Sequence, residues 1–205
     1  MWSDRPPSRP TRGGEESSIA EAADQLRYIR DVMARSDAFT AIPGSGSMAM
    51  GGLALVATFV LAPYAYDGFW LWGWLGVAVL ACLSGTMALV RKAQIHRVPL
   101  GSGSGRKFLL GLAPAVAGGA LMTIVLWQAD AVQLLPGAWM LLYGVGVLAS
   151  GAFSVRLVPL IGLLFMIGSV PAFFLPGTTP HWVFGGAFSL FHLSFGYLIA
   201  RQYGG

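Results

Sequence analysis

Few side chains in this sequence could do chemistry within an apolar environment, and His192 stands first among them. It lies near the middle of the last long apolar segment, with Gly185, Ser189 and Gly196 on the same helical face. An imidazole at that depth can relay a proton, ligate a metal or tie down a neighbouring helix, and the glycines beside it turn it toward a close helix contact and away from lipid. Ser189 and Ser194 are the hydroxyls nearest to it along the chain. Its plainest role is a neutral ring hydrogen-bonded to a serine, a tyrosine or a carbonyl of an adjacent helix.

Haem ligation by His192 would require a second axial group. His96 falls in a hydrophilic loop and His181 is expected at the outer surface, which leaves a methionine such as Met122, Met140 or Met166. A metal held by nitrogen and sulfur ligands would lack partners in the same way, so no cofactor and no metal are assigned. The other polar groups within apolar segments include Thr58, Ser84, Thr123, Tyr143 and Ser150, and none of these segments holds Asp, Glu, Lys or Arg away from its ends. Proton-coupled transporters and voltage sensors depend on such intramembrane charges. Neither HExxH nor GxSxG occurs, so no catalytic constellation is found and an enzyme is not expected.

The elements that carry these residues follow from composition. Of 205 residues, 55% are apolar and only 11% charged, against about 25% in an ordinary globular domain, so the chain cannot clothe a soluble surface. Mean hydropathy is +0.64. After Lys107 the only charged residues are Asp130, Arg156 and Arg201. Six apolar segments, at about 47–66, 69–90, 108–129, 138–154, 159–175 and 183–203, are each close to the roughly 20 residues that span a bilayer as a helix. Short connections make successive spans antiparallel neighbours. Cys82, the single cysteine, falls within a span and can form no intramolecular disulfide.

Orientation is set by charge. With the N-terminus inside, all thirteen Lys and Arg residues fall on the cytoplasmic side, as the positive-inside rule requires. Six of the seven tryptophans (Trp70, Trp72, Trp74, Trp127, Trp139 and Trp182) gather at the opposite ends of the spans, where they would form an aromatic belt. The basic residues flank apolar segments and form no stripe interleaved with aromatics, which argues against a nucleic-acid partner. The location this implies is an inner (cytoplasmic) membrane, with both termini in the cytoplasm.

Ahead of the spans, residues 1–16 have the composition of a disordered tail. Residues 17–46 hold a helix and a linker. Ser18 and Glu21 form a capping box, and Ile19, Ala22, Leu26, Ile29 and Met33 recur at spacings of three and four to make one narrow apolar stripe. Arg27 with Asp31, and Asp31 with Arg35, are spaced to pair along the other face. Between Glu15 and Thr40 lie six acids and three arginines, so an anionic leaflet would repel this helix. It is expected to dock on the basic loop from Arg91 to Lys107 or to present its stripe to a cytosolic or membrane protein. The glycine-rich runs at Pro43–Ser47 and Gly101–Gly105 read as flexible linkers. Arg106 and Lys107 beside the second run are candidates for a lipid phosphate at a helix N-terminus.

The runs Ser36-Asp-Ala-Phe-Thr-Ala-Ile-Pro-Gly, Ser150-Gly-Ala-Phe-Ser-Val-Arg-Leu-Val-Pro and Phe195-Gly-Tyr-Leu-Ile-Ala-Arg-Gln-Tyr-Gly-Gly resemble an uncharacterised group of bacterial multi-span inner-membrane proteins. The resemblance covers residues 25–205, implies no activity and carries over no functional residue. The expected fold is an all-α membrane protein, a six-transmembrane-helix bundle of antiparallel hairpins preceded by a cytoplasmic amphipathic helix. The expected function is a non-enzymatic membrane subunit or adaptor. A small oligomeric channel or transporter is the alternative, and an intramembrane redox protein using His192 is the third reading. Membrane lipids, a protein partner and further copies of the chain are the expected contacts.

Overall fold

A computed structural model describes residues 21–29, 43–95, 100, 103–152 and 154–203, and the chain divides into two compact units, Met1–Asp37 and Ala38–Gly205. In the first unit residues 21–29 form a helix, α1, every residue of which is exposed. Ala22, Leu26 and Ile29 of the apolar stripe lie on it, and Arg27 pairs with Asp24 at 3.4 Å, one turn back. Ser18, Ile19, Asp31, Met33 and Arg35 lie outside the described residues, as does the tail at 1–16.

The second unit consists of α2 (Gly44–Leu61), α3 (Gly68–Ile95), α4 (Gly103–Gln128), α5 (Leu135–Gly151), α6 (Leu157–Phe174) and α7 (Thr179–Tyr203). All six are long and apolar enough to cross a membrane, and the chain is a multi-pass membrane protein. Helix is the form that satisfies every backbone amide within its own segment when lipid supplies no partner. Pro63, which has no N–H to donate, closes α2 into a single 3₁₀ turn at Ala62–Tyr64. Asp67 opens α3, its Oδ1 accepting the Trp70 N–H at 2.8 Å.

Where they are described the glycine-rich runs are helical and not linkers, Gly101 and Ser102 lying outside the described residues. Gly44–Ser47 is the first turn of α2 and is buried, apart from the exposed Ser45, and Gly103–Gly105 is the first turn of α4. For the first run the reason is steric. A Cβ on Gly44 would stand 2.4 Å from both the Ala200 nitrogen and the Gly196 carbonyl, so glycine lets α2 lie directly on the end of α7. The same device recurs between α5 and α6, where a Cβ on Gly162 would stand 2.5 Å from the Leu148 nitrogen and 2.7 Å from the Gly144 carbonyl.

Contacts are most extensive between α2 and α7 and between α5 and α6, so the first and last spans are direct neighbours. Helix α3 leans on α2 and α4 leans on α5, while α7 meets α6 and, along a shorter stretch, α5. Only 6% of the span in α3 and in α4 is buried, against 33–50% in the other four, so these two flank the bundle. Consecutive in sequence, α3 and α4 meet at one end, where Ala93 packs with Leu89, Leu100 and Phe108. The core is largely aromatic and aliphatic, with Trp70, Trp74, Leu135, Met140, Phe165 and Phe184 buried in one cluster.

Candidate functional site

His192 is 6% exposed and sits on the face of α7 that meets α5 and α6. Its Nδ1 lies 2.9 Å from the Phe188 carbonyl one turn back, and a carbonyl only accepts, so Nδ1 carries the proton. Nε2 is then an acceptor, and the Tyr143 hydroxyl on α5 donates to it at 2.8 Å. The ring stacks on Phe188 with centroids 5.5 Å apart and abuts Phe165 at the same separation. From the other side, Ser47 of α2 donates its hydroxyl to the His192 carbonyl at 3.0 Å. The residue thus links α7 to α5 by its side chain and to α2 by its backbone, with both ring nitrogens engaged inside the protein.

Of the serines grouped with it in the sequence, Ser189 is buried nearby and donates to the Gly185 carbonyl at 2.6 Å. Ser194 is exposed on another face of α7 and bonds the Leu190 carbonyl, so it belongs to no site with His192. Two residues further along a helix is a rotation of about 200°. Four further membrane hydroxyls donate into their own helices. Thr58 donates to Ala54, Ser84 to Ala81, Thr123 to Gly119 and Ser169 to Met166. Ser150 differs, its buried Oγ having no hydrogen-bond partner, pressed against Gly111 of α4.

His181, expected at the outer surface, is instead completely buried, at 0% exposure. Trp70 of α3 donates its indole N–H to His181 Nδ1 at 2.8 Å, so the proton of the neutral ring is on Nε2, which donates to the Thr58 carbonyl at 2.9 Å. The His181 backbone N–H donates to the Tyr66 hydroxyl at 3.0 Å. Helix ends explain the burial: the last carbonyls of α2 and the first amides of α7 have no partners within their helices, and one histidine with one tyrosine serves both. Trp70 in turn stacks on Trp139 of α5 at 5.8 Å, and Trp74 meets Phe184 at 4.6 Å, so three of the six tryptophans grouped in the sequence form an aromatic cluster at one end of the bundle, while Trp72, Trp127 and Trp182 are exposed. Burial pushes the Tyr66 phenol above its ordinary pKa, and the bond from His181 partly offsets this.

At the same end, Tyr66, Asp67, Trp127, Asp130 and Gln133 line a cleft of about 390 Å³. Tyr66 and Asp130 both adopt left-handed backbone, with φ of 75° and 52°. Asp67 and Asp130 are the only acids after Asp37. Arg106 and Lys107 stand exposed on the first turn of α4, and Leu26 and Ile29 are 65% and 51% exposed on α1. No group of three or more His, Cys, Asp or Glu residues that could hold a metal occurs among the described residues. No protein-family model, curated protein or solved structure matches the chain.

Proposed function

We propose that this chain is a non-enzymatic adaptor of a cytoplasmic membrane, with antiparallel spans, both termini inside and the acidic N-terminal helix as its partner-binding element. The observation that carries this reading is the state of the membrane body's polar groups. Both His181 and His192 have every ring nitrogen engaged by the protein, and Thr58, Ser84, Thr123 and Ser189 donate to carbonyls of their own helices. A translocation path needs polar groups turned toward solute, whereas here the rings of Tyr143, Phe165 and Phe188 fill the space between α5, α6 and α7 with centroids 4.6–5.1 Å apart. The exposed apolar residues of α1, flanked by acids, supply a surface of the kind that a complementary helix or groove covers.

The test is affinity purification of the full chain in mild detergent with mass spectrometry, beside a variant carrying Leu26→Glu and Ile29→Glu. A stoichiometric protein partner that the variant loses is the expected result. Recovery of no partner, together with solute flux in proteoliposomes made from the pure protein, overturns the reading in favour of a channel or transporter.

A further inference from the structure

The two buried histidines differ in one respect that bears on how the protein responds to acid. Each neutral ring uses one nitrogen as donor and one as acceptor. The acceptor nitrogen of His192 faces a tyrosine hydroxyl, which can rotate and accept in its turn if the ring gains a proton. The acceptor nitrogen of His181 faces the indole N–H of Trp70, which can only donate. An imidazolium at His181 would set two N–H groups against each other at the present 2.8 Å separation, within a fully buried pocket.

We propose that His181 is an acid-sensitive latch for the aromatic end of the bundle. As a neutral ring it ties the end of α2 and the start of α3 to the start of α7. As a cation it releases Trp70, and the junction loosens.

The surroundings offer the cation little. Helix α2 presents the Thr58 carbonyl, already taken by Nε2–H. From α3 come Trp70 and Trp74, the latter also donor-only and with its Nε1 unpartnered. On α7 the adjacent ring is that of Trp182. The titratable groups at this end are the exposed Tyr64, which packs on Phe69, Tyr66, whose hydroxyl takes the His181 backbone N–H, and the cleft carboxylates Asp67 and Asp130; Asp67 is committed to the Trp70 backbone N–H. No Lys or Arg lies anywhere in the segments 36–90, 108–155 or 157–200. The sign follows by linkage. The latched state excludes a proton that the released state accepts, so acidification favours release.

Hydrogen–deuterium exchange on the full chain in lipid nanodiscs tests this between about pH 8 and about pH 4, a range that brackets ordinary histidine titration near 6.5. After correction for intrinsic rates, exchange in residues 59–66 and 179–185 is expected to accelerate reversibly on acidification, by up to about tenfold per pH unit, the limit for one linked proton. His181→Gln, whose amide can accept from Trp70 and donate to Thr58 but does not titrate, should abolish the acceleration, and His192→Gln should leave it. Trp70→Phe removes the opposing donor and should blunt it, which keeps the test decisive if His181→Gln does not fold. Wild-type exchange that is insensitive to pH, or an acceleration that survives both His181→Gln and Trp70→Phe, overturns the proposal.

Discussion

At the scale of single residues, membrane burial turns each polar group into a question of partners, and the answers can be tested one at a time. Tyr143→Phe leaves His192 Nε2 buried without its donor. The loss in stability should be about 0.5–2 kcal/mol, read by thermal unfolding in detergent. Combined with His192→Phe, which removes the other partner, it should cost less than the two single changes summed. A strictly additive pair would show that the bond contributes nothing. Tyr66 gives a prediction at the alkaline end. Its phenol is held above the ordinary value by burial, so the neutral form stabilises the fold fully below about pH 10 and that contribution is lost as pH rises further. Tyr66→Phe should lose less stability above that point than the wild type does. Part of this chemistry was legible in the sequence: the glycines near His192 pointed it into the bundle. Tyr143 was visible only as one polar group among several, because the register of α5 against α7 is set by packing across 49 residues of separation. His181 was misjudged because a place in the short connection between the last two apolar segments suggests a surface, and nothing local reveals that two helix ends need it as a partner.

Elements pack here by what their glycines omit. Without a hydrophobic drive between helices already surrounded by lipid, close approach is what gains contact, and a methyl at the wrong place removes it. Gly162→Ala should therefore push α6 off α5 and cost about 1–3 kcal/mol. Gly119→Ala on α4 meets nothing within 4 Å and should be neutral, or stabilise by up to about 1 kcal/mol through helix propensity. Equal effects for the two substitutions would refute the steric account. The six helices themselves were readable from hydrophobicity, each span lying within a few residues of its expected place. The glycine-serine run at Pro43–Ser47 was not, since Gly-Ser composition describes a flexible linker and a close-packed helix equally well. Only the neighbouring Ala200 and Gly196 backbone distinguishes the two.

For the whole molecule, the informative feature is that its two ends differ in kind. One end holds the cluster of Trp70, Trp74, Trp139 and His181 and also a cleft lined by both acids of the membrane unit, while Arg91, Lys92, Arg106, Lys107, Arg156 and Arg201 belong to the opposite helix ends. Which residues neighbour which across the bundle could not be read from the chain, because short loops constrain consecutive helices and say nothing about the first meeting the last. Polarity of the ends could be read, and it makes the proposed orientation testable with the protein's single cysteine. In a Cys82→Ala background, cysteines placed at Thr178, on the aromatic end, and at Gln202, beyond the last span's basic residue, report the two sides. A membrane-impermeant maleimide applied to intact cells should label Thr178→Cys directly and Gln202→Cys only after permeabilisation. Cationic side chains resist transfer across the bilayer far more than tryptophan does, so under the proposed orientation the helix ends that carry Arg91, Lys92, Arg106, Lys107, Arg156 and Arg201 would be the ones retained inside. The reverse labelling pattern would put α1 and both termini outside, and a cytosolic partner for the acidic helix would fall with it.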